Sequence, residues 1–170
     1  MKKELEIQFT LWKIIREQIL NIVQNKSIEQ LFKIPEPFSN NIIWIFGHIV
    51  RTRNFLILKL AGNPSLFPKE LDPLFAKGSC PKEWKYQDDK IVIENQLLSK
   101  QELVDKIFIF EKTNFEDLIR YINDNYDKSY LEPYKTSTGY VIQNSLNALQ
   151  YNIIHESIHL GQLQLYNKLV

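Results

Sequence analysis

The chain has 170 residues, and its 21 Lys and Arg against 20 Asp and Glu leave a formal net charge of +1. That length suits one domain, residues 1–170, able to bury a core without disulfides or a structural metal, so a metal here would serve chemistry. With so even a charge balance, no broad basic face advertises nucleic acid and no acidic tail advertises a basic partner.

The opening MKKELEIQFTLWKIIREQIL is basic only briefly before Glu4, Glu6, Arg16 and Glu17 interrupt it, which leaves no apolar core for a signal peptide. Leu5, Phe9, Trp12, Ile15, Ile19 and Ile22 recur at steps of three and four, predicting a first amphipathic helix from Leu5 to about Gln24. A loop with Pro35 and Pro37 follows, and Ser39 or Asn40 offers a side-chain cap for a second helix from about Asn41 to Ala61. Gly62 and Pro64 stop it. From Gly62 to Ser99 the chain carries Pro64, Pro68, Pro73, Pro81, Gly78 and the lone Cys80, which predicts a crossover connection between bundle ends. Only KIVIE, Lys90 to Glu94, alternates convincingly; it reads as a short strand or as linker.

The capping box SKQE, Ser99 to Glu102, opens a third helix through Leu103, Ile107, Phe110, Leu118 and Ile122, ending near Asn125. After the loop EPYKTSTGY, Glu132 to Tyr140, a last helix runs from about Val141 to Leu169, with Leu146, Leu149, Ile153, Ile154, Ile158 and Leu165 on its apolar stripe. Four long helices and one long crossover predict an all-α four-helix bundle. No apolar run is long enough for a bilayer, and a single cysteine cannot form an internal bridge, so the expectation is a cytoplasmic protein.

The three histidines, His48, His155 and His159, all fall inside predicted helices. Spaced by four, His155 and His159 share one helical face and could share one ion, beside a stripe that includes Tyr151, Gln162 and Tyr166. His48, with Trp44 one turn before it, lies at a similar edge of the second helix and supplies a third donor of the kind that metal sites in bundles use. Singly, each histidine also suits a hydrogen-bonded structural role. Burying three unpaired rings together would cost on the order of several kcal/mol, which favours metal.

HESIH also spells the zinc-protease string H-E-x-x-H. Those proteases carry a third ligand downstream, whereas none of the eleven residues after His159 is His, Asp, Glu or Cys. Glu156 is turned about 100° from His155 around the helix, so the string alone does not place it as a base.

NNIIWIFGHIVRTRNFLILKLAG, Asn40 to Gly62, and IIHESIHLGQLQLY, Ile153 to Tyr166, resemble the two signature segments of the DinB-like (YfiT-like) metalloenzymes. These are an apolar-G-H on the second helix and H-x-x-x-H-x-G-Q on the fourth. YKTSTGY, Tyr134 to Tyr140, sits where members carry an aromatic and Ser/Thr segment ahead of the last helix. The resemblance covers essentially the whole chain. It implies a four-helix bundle in up-down-down-up order and a divalent metal, nickel or zinc, held by His48, His155 and His159. From members of known chemistry it implies a low-molecular-weight thiol as co-substrate, in bacillithiol transfer to electrophiles or mycothiol-dependent isomerisation. Many members have arginine before the Gly-Gln pair, where this chain has Leu160.

Three neutral imidazoles would leave coordination positions open, the layout of a catalytic site. The expected activity is transfer of a thiol to an electrophilic small molecule, with no nucleic-acid or membrane partner. Two alternatives stand beside it. One is a hydrolase using metal-bound water with Glu156 as proton acceptor; the other is a non-catalytic module, with a homodimer through one helix face, in which the ion pins helices two and four. Gln162 is a candidate to orient a ligand. Trp44, Tyr134, Tyr140 and Tyr151 are candidate cavity walls or core, Asn114 is a cavity-facing or solvated polar group, and Cys80 is a plain thiol.

Overall fold

A computed structural model describes residues 3–170; Met1 and Lys2, the first two residues of the expected domain and of its charged start, lie outside the described residues. Helix α1, Lys3–Gln24, buries Leu5, Phe9, Trp12, Ile19 and Val23 along one face. A short helix α2, Ile28–Phe32, occupies part of the expected loop, opened by a capping box of Ser27 and Gln30. Helix α3, Ile42–Asn54, is capped by Asn41 rather than Ser39 or Asn40: Asn41 is extended, and its Oδ1 accepts the Trp44 N–H at 2.9 Å. Every residue from Asn41 to Val50 is buried, so α3 is the central element and is apolar all round. It continues as a π-helical turn, Phe55–Lys59, before Gly62 adopts φ +81° and ends it.

The segment from Gly62 to Ser99 is more than a crossover. It holds helix α4, Asp72–Phe75, a 3-10 turn at Pro81–Glu83, and an antiparallel sheet of β1 (Tyr86–Gln87), β2 (Lys90–Ile93) and β3 (Gln96–Leu98). KIVIE is thus strand rather than linker. Phe67, Leu71, Phe75, Trp84 and Ile91 from this segment are buried in one cluster with Ile42, Ile45 and Ile49 of α3.

Helix α5, Lys100–Asn125, starts at the Ser99–Glu102 capping box as read. β4 (Ser129–Lys135) then pairs antiparallel with β5 (Val141–Asn144), and only afterwards does α6, Ser145–Leu169, begin, capped by Asn144. The expected start at Val141 is therefore four residues early. Val141 and Ile142 pair with Lys135 and Tyr134, and Ile142 is fully buried, so tertiary pairing claims this β-branched stretch. The chain is mostly helical with two small sheets rather than purely α.

Helix α6 packs against α1, α3 and α5, and α3 also meets α1, α4 and α5. On α6 the expected apolar stripe is corrected: Ile154, Ile158 and Leu165 are exposed, while Asn152 and Glu156 are fully buried. No helix among the described residues is long and apolar enough to cross a membrane.

Candidate metal centre

Helices α3 and α6 bring the three histidines together. Ring centroids lie 5.3 Å apart for His48 and His155, 5.1 Å for His48 and His159, and 4.5 Å for His155 and His159. One nitrogen of each ring can be chosen so that all three lie within 4.8 Å of one another, and among the described residues this is the one such cluster of three potential ligands. The His155 and His159 Nε2 atoms are 3.1 Å apart. Two nitrogens sharing an ion at about 2.0–2.1 Å would stand roughly 2.9–3.4 Å apart, so this pair already fits.

Residues of α3 and of the segment after it fix the His48 ring. A Cβ on Gly47 would lie 2.4 Å from a carbon of the Phe75 ring, so only glycine lets α4 approach α3 this closely. That approach puts the Phe75 carbonyl 2.8 Å from His48 Nδ1. On its other side His48 is stacked by Trp44, centroids 4.8 Å apart and planes 7° from parallel. Trp44 Nε1 donates to Ser79 Oγ at 3.0 Å, and Ser79 in turn donates to carbonyls of Leu74 or Ala76. Gly47→Ala is expected to lower stability by about 1–3 kcal/mol, because the methyl group overlaps an aromatic ring rather than a flexible chain end. Urea unfolding checks it, and a midpoint equal to wild type would remove this account of the glycine.

Hydrogen bonds also assign the tautomers. A carbonyl only accepts, so the Phe75 contact places a proton on His48 Nδ1 and leaves Nε2 a lone pair. Gln162 Oε1 lies 2.7 Å from His159 Nδ1 and does the same for that ring. His155 is held through its Nε2, 3.1 Å from His159 Nε2, while its buried Nδ1 has no hydrogen-bond partner. Burial holds His48 down to about 4, against the Phe75 hydrogen bond and assisted by His159 and Arg51. Burial, then His159 and His48, pushes His155 down to about 3. His159 is lowered too by burial, with Gln162 and Glu156 acting the other way. Three neutral rings, two with Nε2 lone pairs freed by anchored Nδ1 protons and one with an orphaned buried nitrogen, are a donor set that fits a divalent ion.

The histidines form one wall of a cavity of about 460 Å³. Arg51 and Lys77 bring cationic groups to it; Thr52, Thr136 and Ser137 bring hydroxyls; Phe55, Leu56, Tyr134 and Tyr151 bring apolar surface. A larger groove of about 870 Å³ between α1, α2 and α5 holds none of the histidines.

A family model for the DinB superfamily matches residues 11–163. The chain belongs to the DinB superfamily. A crystal structure described as a conserved protein of locus from Enterococcus faecalis is similar in fold, with TM-score 0.61 at 15% identity, covering 100% of this chain and 98% of that one. Among curated proteins, none matches.

Other sequence candidates in this DinB-superfamily chain divide cleanly. Gln162, Trp44, Tyr134 and Tyr151 touch the histidines or the cavity, and Tyr140 stacks on Tyr151 with centroids 5.9 Å apart. Cys80 is half-buried with Sγ 3.2 Å from the Ser39 carbonyl, and it does not line the cavity. Asn114 is buried rather than solvated, but its Oδ1 accepts from Asn54 Nδ2 at 2.8 Å and it too lies off the cavity wall. Leu160 is buried in the core beside Leu163 and Tyr166.

Glu156 is the main departure. It points away from the cavity into a buried ion network that the sequence reading missed. Its Oε1 accepts from Trp12 Nε1 at 3.0 Å, Arg53 Nε at 2.8 Å and Asn152 Nδ2 at 2.7 Å, and its Oε2 accepts from Arg53 Nη2 at 3.2 Å. Glu111 takes Arg53 Nη1 and Arg16 Nε, each at 2.7 Å. Helices α1, α3, α5 and α6 all contribute. A signal was available: Arg53 stands three and four residues after Val50 and Ile49 on the apolar side of α3, and Glu111 stands among Ile107, Phe110, Phe115 and Leu118 on α5.

Proposed function

We propose that this protein is a metal-dependent enzyme in which His48, His155 and His159 hold a nickel or zinc ion and a low-molecular-weight thiol is transferred to an electrophilic small molecule. The observation that carries the reading is the convergence of three neutral imidazoles on one cavity wall. We also read the four long helices α1, α3, α5 and α6 as an up-down-down-up bundle, a path that the long Gly62–Ser99 connection permits.

A bound ion would supply Lewis acidity and favour the deprotonated form of a thiol. The chain's own contribution is placement. Phe75 and Gln162 hold the Nδ1 protons of His48 and His159, which leaves their Nε2 lone pairs free and would let them hold an ion. Phe55, Leu56, Tyr134 and Tyr151 would receive the electrophile and reduce water around it. A hydrolase with Glu156 as base is disfavoured, because both carboxylate oxygens already accept buried hydrogen bonds.

The test is metal analysis of tag-free protein followed by an assay with an aryl chloride, with and without added thiol. Nickel or zinc near one ion per chain, lost on His48→Ala, with turnover that requires thiol, is the expected result. Turnover without thiol would move the assignment to hydrolysis. No uptake of added nickel or zinc would sink the metal reading, and a metal that raises the melting temperature with no turnover in either assay would leave a non-catalytic module.

A further inference from the structure

The charges around the cavity are one-sided. Its wall contains Arg51 and Lys77 but no aspartate or glutamate, and an imidazole carries no negative charge in any protonation state it adopts here. Glu156, the nearest buried carboxylate in sequence to the two α6 histidines, is neutralised by Arg53 behind them. Asp72 pairs with Arg51, using the guanidinium edge of Nε and Nη2 at 3.0 Å each, which leaves Nη1 with no ion pair among the described residues. Lys77 is exposed at the cavity wall and likewise makes no ion pair among the described residues. A divalent ion would add two positive charges that neutral imidazoles do not offset. Asp72 offsets the formal charge of Arg51, so the excess at the wall is Lys77 together with the charge of a bound ion, and a neutral ligand would leave it uncompensated in a cleft where charge is felt more strongly than in bulk water.

Arg51 is also placed to act as an anchor. It stands three residues after His48 on α3, so the two side chains leave the same helix face one above the other, about 5–6 Å apart at their Cβ atoms. Its side chain is 16% exposed and its ion pair with Asp72 is bidentate, which limits the motion of the guanidinium. Thr52, Thr136 and Ser137 add hydroxyl donors on the same wall.

We propose that the histidine cavity selects an anionic ligand, with Arg51 and Lys77 holding a carboxylate- or phosphate-type oxyanion while the metal-directed end of the same small molecule faces the three histidines. This deepens the metal reading and rests on it for the second point of attachment. The ligand is short, with the oxyanion only a few bonds from the donor atom, because Arg51 is a single helical turn from His48.

The experiment titrates nickel-loaded protein by calorimetry with three thiols of similar size: 3-mercaptopropionate, 2-mercaptoethanol and cysteamine. The anionic thiol is expected to bind on the order of tenfold more tightly than the neutral one, and the cationic one most weakly. Arg51→Gln combined with Lys77→Gln should remove most of that gap, while Arg51→Lys keeps it. Equal affinities in wild type, or a gap that survives the double variant, would overturn the proposal. Acetate and inorganic phosphate as competitors identify which oxyanion is preferred, and competition by either that vanishes in the double variant supports the anion wall. If the protein takes up no metal, the metal reading fails separately, and metal-free protein is then compared with succinate against its neutral diamide. A melting-temperature rise with succinate in wild type only supports the anion wall; no difference overturns it.

Discussion

Arg53→Met is expected to destabilise the protein by about 3–5 kcal/mol, the largest single-residue effect in the fold outside its apolar core. Arg53 is 2% exposed and donates to Glu156 and Glu111, which are themselves fully or almost fully buried. Methionine fills much of the same volume between Trp12 and Phe115, so the loss is electrostatic rather than a cavity. Two carboxylates would then face the interior with Arg16 alone to neutralise them, and Arg16 reaches only Glu111. The cost comes from desolvated charge left without its partner, so it should shrink when the partner is removed too. Arg53→Met with Glu156→Gln is expected to be less destabilising than the sum of the single changes, and a double-mutant cycle in urea measures the difference. For a chain of 170 residues, each kcal/mol lowers the melting temperature by about 2–4 °C. A drop below about 2 °C for Arg53→Met would show that water reaches the network and that its charges are screened.

That network also explains where reading by periodicity fails. Helix α6 has exposed Ile154 and Ile158 with buried Asn152 and Glu156, the reverse of an amphipathic stripe. A helix whose inward face must complete an ion network and present two histidines cannot keep that face apolar. Periodicity assumes that burial and hydrophobicity coincide, and between Tyr151 and His159 they do not. The four long helices were legible because their steps of three and four, the Ser99 capping box and the Gly62 stop are local signals. The start of α6 was misplaced because β5 exists only through its pairing with β4, and the core role of Phe67, Leu71 and Phe75 was missed because prolines mark turns without saying what packs beneath them.

At the histidine cavity the division follows distance along the chain. His155 and His159 declare themselves by spacing, and Gln162 follows one turn later at 2.7 Å from His159. Arg51 and Thr52, three and four residues after His48, are equally legible from helix geometry. Lys77, Thr136 and Ser137 carry no such signal. They reach the cavity because Gly47 admits Phe75 and because the β4–β5 hairpin sits over the start of α6, and neither event is visible in their neighbours.

His155→Ala should separate the metal's contribution from the fold's own. In metal-free protein His155 has a buried Nδ1 without a partner, and burial disfavours its charged form. Removing the ring discards packing and one hydrogen bond, between His155 Nε2 and His159 Nε2 at 3.1 Å, so the variant should lose about 1–2 kcal/mol. In the presence of metal the two proteins diverge. An ion that binds the folded chain at a hundred times its dissociation constant stabilises it by about 2.7 kcal/mol through mass action. Wild type should then melt several degrees higher with nickel or zinc than with chelator, whereas His155→Ala melts at one temperature in both. Gln162→Ala should fall between them, because it leaves three ligands but frees the Nδ1 proton of His159, and outer contacts of this kind alter metal affinity by about 10–100-fold. A metal-dependent rise equal in wild type and His155→Ala would place the ion elsewhere. A rise lost in His155→Ala but undiminished in Gln162→Ala would keep the ion at the histidines and remove the amide from its support.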